Sequence, residues 1–128
     1  MRRYLLDTHT AIWFFNGDKA MSEIARNTIL DLSNVKYLSM ASVWELAIKI
    51  SIGKLKFPQN TSGFIRQIRE NGFTLLPISE SHAITLETLP MIHRDPFDRL
   101  LIATALAEEI TLITADENIA HYNVPQIW

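Results

Sequence analysis

Four acidic residues, Asp7, Glu45, Asp98 and Asp116, stand at places in this chain where a carboxylate can do chemistry. Asp7 ends the apolar run Tyr4-Leu5-Leu6, and Asp116 follows Thr111-Leu112-Ile113-Thr114 with one residue between. Asp98 falls in the first turn of a helix that Asp95-Pro96 would open. Glu45 is the lone acid of the segment Met40 to Ile52; positions 41, 45, 48 and 52 share a helical stripe, and the other three are Ala, Ile and Ile. An acid on such a stripe needs a partner, because an unpaired buried charge is costly.

Carboxylates that converge repel one another, and some take up protons near neutral pH. Divalent cations relieve this. Mg²⁺ and Mn²⁺ prefer oxygen ligands, and no cysteine or paired-histidine motif points to a softer metal. One or two such ions can activate water and stabilise the leaving oxygen of a phosphodiester. The four acids are therefore read as metal ligands and water positioners rather than as nucleophiles. Each also has a plain structural reading. Asp7 and Asp116 can be helix N-caps, Asp95 to Asp98 resembles an N-cap, a proline at N1 and a capping-box acid, and Glu45 can pair with Lys49 one turn on.

The elements that must position these acids follow from apolar periodicity. Strands are expected at Tyr4–Leu6, Lys36–Ser39, Phe73–Pro77 and Thr111–Thr114, with a short last one within Val124–Trp128. Helices are expected at Thr8–Phe15, Ser22–Leu32, Ala41–Ile52, around Phe64-Ile65-Ile68, at Ser79–Leu86 and from Asp95 to about Glu109. Alternating strands and helices over residues 1–128 predict one α/β domain, with a mainly parallel central sheet of four to five strands and helices on both faces. Ligands of such sheets bind beyond the carboxyl ends of the strands, where Asp7 and Asp116 would lie.

The 128 residues hold 12 Lys and Arg against 14 Asp and Glu, a formal net charge of -2. A simple electrostatic nucleic-acid binder is usually basic. Here the basic residues concentrate early: eight against five acids in residues 1–56, then four against nine. The absence of cysteine excludes disulfides, thiolate metal sites and cysteine nucleophiles, and fits a cytoplasmic protein. No apolar run approaches the roughly 18 residues of a membrane span, so no membrane is expected as a partner. Asp7 also interrupts the N-terminal apolar stretch too early for a signal peptide.

Four segments carry a family likeness. Leu5-Leu6-Asp7-Thr8-His9, Ser39 to Lys49 followed by Gly53-Lys54-Leu55, His93 to Ala103, and Leu112 to Asp116 together resemble the PIN-domain family, closest to the VapC-type ribonuclease toxins of toxin–antitoxin pairs. The likeness runs through nearly the whole chain, and all four acidic positions carry the expected acid; Thr104 stands where similar chains often have Gln. The resemblance implies a PIN fold, Mg²⁺- or Mn²⁺-dependent hydrolysis of RNA phosphodiester bonds, a small antitoxin that blocks the site, and homodimerisation. Rival readings are a non-catalytic RNA- or protein-binding domain and a phosphatase with Asp7 as nucleophile. The latter lacks a second aspartate two residues on, where His9 stands.

Around the acids, Thr8, Ser42 and Thr114 are candidate supports, with helix or strand termini as their plain alternative. Lys49, Lys54, Lys56, Arg94 and Arg99 are candidate RNA phosphate contacts. His9 and His93 are read as stacking or hydrogen-bonding residues, with a metal role as the alternative. Of the tryptophans that could stack on bases, Trp44 is expected in the core and Trp13 at an interface; Trp128 has no narrower expectation. The Phe64-Ile65-Ile68 stripe is read as core packing, with a dimer contact as the alternative.

Overall fold

The first strand, β1 (Arg3–Leu6), shows how the domain is layered. Successive side chains of a strand point to opposite faces. Tyr4 and Leu6 enter one hydrophobic core, and Leu5 enters another on the far side of the sheet. The same alternation places Leu38 and Ile113 in the first core and Leu112 in the second. A strand buried on both faces reads as a continuous apolar run, as Leu5-Leu6 and Leu112-Ile113 do.

The computed structural model describes residues 2–128. After β1 the order is α1 (Thr8–Asn16), α2 (Glu23–Leu30), β2 (Val35–Ser39), α3 (Met40–Ser51), α4 (Thr61–Glu70) and β3 (Thr74–Leu76). There follow α5 (Glu80–Glu87), α6 (Pro96–Glu108), β4 (Thr111–Ile113), α7 (Glu117–Ala120) and β5 (Gln126–Ile127). The five strands form one sheet in the order β3-β2-β1-β4-β5, and every pairing is parallel. Helices α1 to α4 supply Ala11, Ala25, Ile29, Val43, Leu46, Phe64 and Ile68 to one face. Helix α6 supplies Leu101, Ile102 and Ala105 to the other, joined by Ile119, Tyr122 and Val124. Burying side chains such as Leu5, Leu6 and Ile102 completely contributes about 1.5–3 kcal/mol each before entropy is counted.

The expected elements are all present, with ends shifted by one or two residues. The helix with no counterpart in the sequence reading is α7, a single turn too short to show periodicity. The Phe64 stripe resolves as core: Phe64 and Ile68 are fully buried. Trp44 departs from expectation. It is 58 % exposed, because on α3 it lies beside the buried stripe of Ala41, Glu45 and Leu46 rather than on it. No helix among the described residues is long and apolar enough to cross a membrane.

The topology fixes where a site can form. Chain connections leave β1 toward β2 and leave β4 toward β5, in opposite directions, while β1 and β4 are neighbours. That is the switch point of an open parallel sheet, where a crevice opens beyond the strand ends. The register sets Leu6 beside both Leu38 and Ile113, so β1 and β4 end level and β2 runs one residue further.

Candidate active site

Asp7 and Asp116 flank this switch point. Asp7 leaves β1 directly, donates its own N–H to Ile113 O at 3.2 Å, and caps α1 by accepting from Thr10 N at 2.7 Å. Its second oxygen accepts a short hydrogen bond from Thr114 Oγ1 at the end of β4. Thr114 Oγ1 in turn accepts from Asp116 N at 3.1 Å, and Asp116 caps α7 through Asn118 N. Capping and a place in the site are therefore compatible at both acids: one carboxylate oxygen serves a helix terminus, and the strand ends bring the two residues together. Both line a cavity of about 240 Å³ with His9, Trp13 and Ala115.

Glu45 reaches the same end of the sheet from α3. It is only 4 % exposed. Oε2 holds Lys49 Nζ at 2.8 Å, the pairing expected from their spacing, and Oε1 lies 2.7 Å from Thr8 Oγ1. Thr8 Oγ1 is also 2.9 Å from Ser42 Oγ. A hydroxyl has one proton, so donating it to the carboxylate leaves its lone pairs to face Ser42. Each threonine thus supports an acid from a different element: Thr8 of α1 supports Glu45, and Thr114 supports Asp7. Ser42 does not cap α3; that position is Ser39, which accepts from Ala41 N.

Asp98 completes the set from the first turn of α6. The N-cap is Asp95, which accepts from Asp98 N at 2.9 Å, and Pro96 occupies the first turn, where its missing N–H costs nothing. The Asp98 side chain does not close a capping box. It accepts instead from His93 Nε2 at 3.0 Å. Asp98 is pushed up to about 6, chiefly by burial and then by the charge of Asp95; the His93 hydrogen bond opposes this, and the charges of Asp116 and Glu45 add to it. Asp7 is also raised, by burial, against the pull of Thr114 and Thr10. Lys49 is the one lysine or arginine, among the described residues, in an ion pair with any of the four acids.

Two carboxyl groups held above their ordinary pKa, with oxygen donors around them, are chemically suited to a hard divalent cation. Asp7, Glu45, Asp98 and Asp116 have the donor chemistry for it. His93, Asp95 and Asp98 also present ligand atoms within 4.8 Å of one another. His93 had a metal role only as its alternative reading, and Asp95 had none, because an Asp-Pro pair reads first as a helix start.

Arg99, an expected phosphate contact, is not available to one. It is 6 % exposed, and its guanidinium donates to Pro90 O at 2.9 Å and to Tyr122 Oη at 3.1 Å. A guanidinium on a mostly apolar helix finds partners inside the fold instead. Tyr122 also accepts from His93 N at 2.9 Å and Ile92 N at 3.3 Å. The loop carrying His93 is therefore fastened to the core by a tyrosine that follows α7. No spacing pattern in the sequence points to Tyr122, since its partners are backbone groups about thirty positions away. Lys54 and Arg94 are exposed, and Lys54 lines a second cavity of about 230 Å³ with Thr8, His9, Ile12, Leu46, Lys49 and Leu55.

The model of the PIN domain matches residues 4–125. The chain belongs to the PIN domain family. Within this family it is 28 % identical to Ribonuclease VapC22 of Mycobacterium tuberculosis, over 98 % of this chain and 96 % of that protein. The PIN fold recurs in solved structures of low sequence identity. VapBC2 from Rickettsia felis, bound to a DNA fragment from its promoter, superposes with a TM-score of 0.74 at 17 % identity, covering 98 % of both chains. FitAcB from Neisseria gonorrhoeae gives 0.67 at 20 % identity, covering 98 % of this chain and 96 % of that one. The expected PIN fold is thus the observed one, as an all-parallel five-stranded sheet.

Proposed function

We propose that this chain is a Mg²⁺- or Mn²⁺-dependent endoribonuclease, the toxin of a toxin–antitoxin pair, with Asp7, Glu45, Asp98 and Asp116 as its active-site acids. The observation that carries the reading is the position of the acids. They come from four separate elements to the carboxyl end of one parallel sheet, where Asp98 feels the charge of both Asp116 and Glu45. A structural cap needs one carboxylate at one helix, and capping does not call for Asp116 and Glu45, from two other elements, to stand close enough to act on Asp98.

Ions bound there would neutralise the developing charge of a phosphodiester and lower the pKa of an attacking water. The chain's own part is positional. Thr114 and Thr10 fix Asp7, while Thr8 and Lys49 fix Glu45, so that neither carboxylate has to be ordered when substrate arrives. His93 holds one oxygen of Asp98 and leaves the other free. Lys54 and Arg94 are exposed and suited to phosphate contact, and Lys49 is half committed to Glu45. The similarity to a ribonuclease named VapC22 supports RNA as the substrate, and the toxin–antitoxin complexes among the structural neighbours support a small antitoxin partner. Homodimerisation is carried over from the family resemblance.

The test is cleavage of RNA by purified wild type and Asp7→Asn, each with Mn²⁺, with Mg²⁺ and with a chelator. Cleavage by wild type that needs the metal and disappears in Asp7→Asn is the expected result. Undiminished cleavage by Asp7→Asn, or cleavage in chelator, would sink the assignment.

A further inference from the structure

The cavity beside Asp7 and Asp116 also has an aromatic lining that the proposed function has not used. It is made by His9 and Trp13, on the same face of α1 four residues apart, with ring centroids 6.1 Å from one another. Trp128, which does not line the cavity, packs on Trp13 edge to face at 5.9 Å and ties it to the segment after β5. The wall is therefore aromatic, and one of its rings is fixed from behind. The carboxylates of Asp7 and Asp116 belong to the same lining.

We infer that His9 and Trp13 form a nucleobase subsite, which stacks one unpaired base of the substrate beside the phosphate handled at Asp7 and Asp116. This inference rests on the nuclease reading and adds to it a place for the base. The cavity, about 240 Å³, holds the equivalent of about eight water molecules, room for one planar base. Every base presents a π-face, so an aromatic wall accepts any of them, and the stacking contribution is large enough to measure for a single base. A second copy of the chain, or an apolar side chain of another protein, is the competing occupant. A base is favoured because the cavity joins aromatic rings to two acids within one small volume, which matches a nucleotide's flat base and its cation-accompanied phosphate.

The probe is fluorescein-labelled decariboadenylate, compared with a decamer of equal charge in which every base is removed. Binding is measured by anisotropy in Mn²⁺, on the Asp98→Asn background so that the oligonucleotide is not consumed. The preference for the base-bearing decamer is expected to be about tenfold or more, to collapse in Trp13→Leu, and to survive largely in Trp13→Tyr. Affinity for the abasic decamer should be unchanged in all three proteins. His9→Ala, at an exposed position, should lower the preference by about threefold, and it carries the test should Trp13→Leu fail to fold. Equal binding of the two decamers, or a preference that Trp13→Leu and His9→Ala both retain, overturns the proposal. So does a loss of self-association in Trp13→Leu with the preference intact. The two readings fail separately. RNA cleavage with no base preference leaves the nuclease and removes the subsite. A Trp13-dependent base preference without cleavage by the wild type leaves the subsite and removes the nuclease.

Discussion

Asp31 and Asp98 lie at opposite ends of the same sheet, and the fold treats them in opposite ways. Asp31 ends α2 near the start of β2, is fully exposed, and accepts hydrogen bonds from Ser33 N at 2.9 Å and Ser33 Oγ at 2.7 Å. These bonds hold its carboxyl below the ordinary 3.8. Asp98 lies beyond the carboxyl ends of the strands, and burial with neighbouring acids pushes it up to about 6. The amino end also has the larger depression, about 450 Å³ against 240 Å³. There Asp31 is satisfied locally by Ser33, Thr28 by Ile24 O and Asn34 by Thr28 O. Size does not mark the site here. Carboxyl groups raised above their ordinary pKa do: among the described residues these are Asp7 and Asp98, both at the carboxyl end.

The largest effect that would break this contrast is on activity. Asp98→Asn should lower the rate of RNA cleavage at least about a hundredfold, because it removes a charged oxygen from the set that would hold the metal. Asp31→Asn should leave the rate unchanged. Single-turnover rates in Mn²⁺ decide it, and equal rates for Asp98→Asn and wild type would place the chemistry elsewhere.

Stability gives the next contrast, with opposite signs at the two ends. The folded-state pKa of Asp98, about 6, lies above the unfolded value near 3.8. The folded state therefore binds the extra proton in that window. The associated stability is complete below about pH 3.8 and is lost as pH rises through about 6; the difference corresponds to roughly 3 kcal/mol as an upper figure. At neutral pH, Asp98→Asn should consequently melt higher than wild type, and Mn²⁺ should raise the wild type more than the variant. Thermal melts between pH 4 and 8 measure both. A variant that melts lower than wild type at pH 7.5 would show that the carboxylate is stabilised in place rather than strained.

The PIN fold was largely legible because its signals are local: apolar runs for the strands, Asp95-Pro96 for the start of α6, and left-handed Gly17 closing α1. The four acids were legible as a set, because their positions at element ends follow from the same signals. Other features depended on facts that no short window contains. Trp44 stands beside acid-bearing Glu45 in an apolar helix, and only the packing of α3 shows which side faces solvent; there it meets Phe97 of α6 at 5.2 Å. Arg99 looks like surface charge until Pro90 and Tyr122 are seen around it. Lys36 is similar: it is buried in β2, where it donates to Ile29 O at the end of α2 and lies over the ring of Phe73.

Tyr122 provides a smaller test within the carboxyl end. Its hydroxyl takes one hydrogen bond from Arg99 and two from the backbone at Ile92 and His93. Tyr122→Phe keeps the packing but leaves those donors without their acceptor, which should cost about 1–3 kcal/mol. If the tyrosine also positions His93 against Asp98, cleavage should fall several-fold at temperatures where the variant is fully folded, with KM little changed. Full activity in a destabilised Tyr122→Phe would confine the residue to holding the loop.

The smallest effect lies at the amino end. Asp31 has a folded-state pKa below 3.8, so its contribution is present above the unfolded value and is lost as pH falls through the folded one. Asp31→Ala should therefore melt slightly lower than wild type at neutral pH and converge with it as pH falls through the folded-state value, the reverse of Asp98→Asn. The difference will be small, because the group is exposed and its partner Ser33 can turn to water instead. The sign matters more than the size. If Asp31→Ala and Asp98→Asn shifted with pH in the same direction, the contrast between a satisfied end and a strained end of the sheet would be lost. With it would go the electrostatic argument for placing the active site at the carboxyl end.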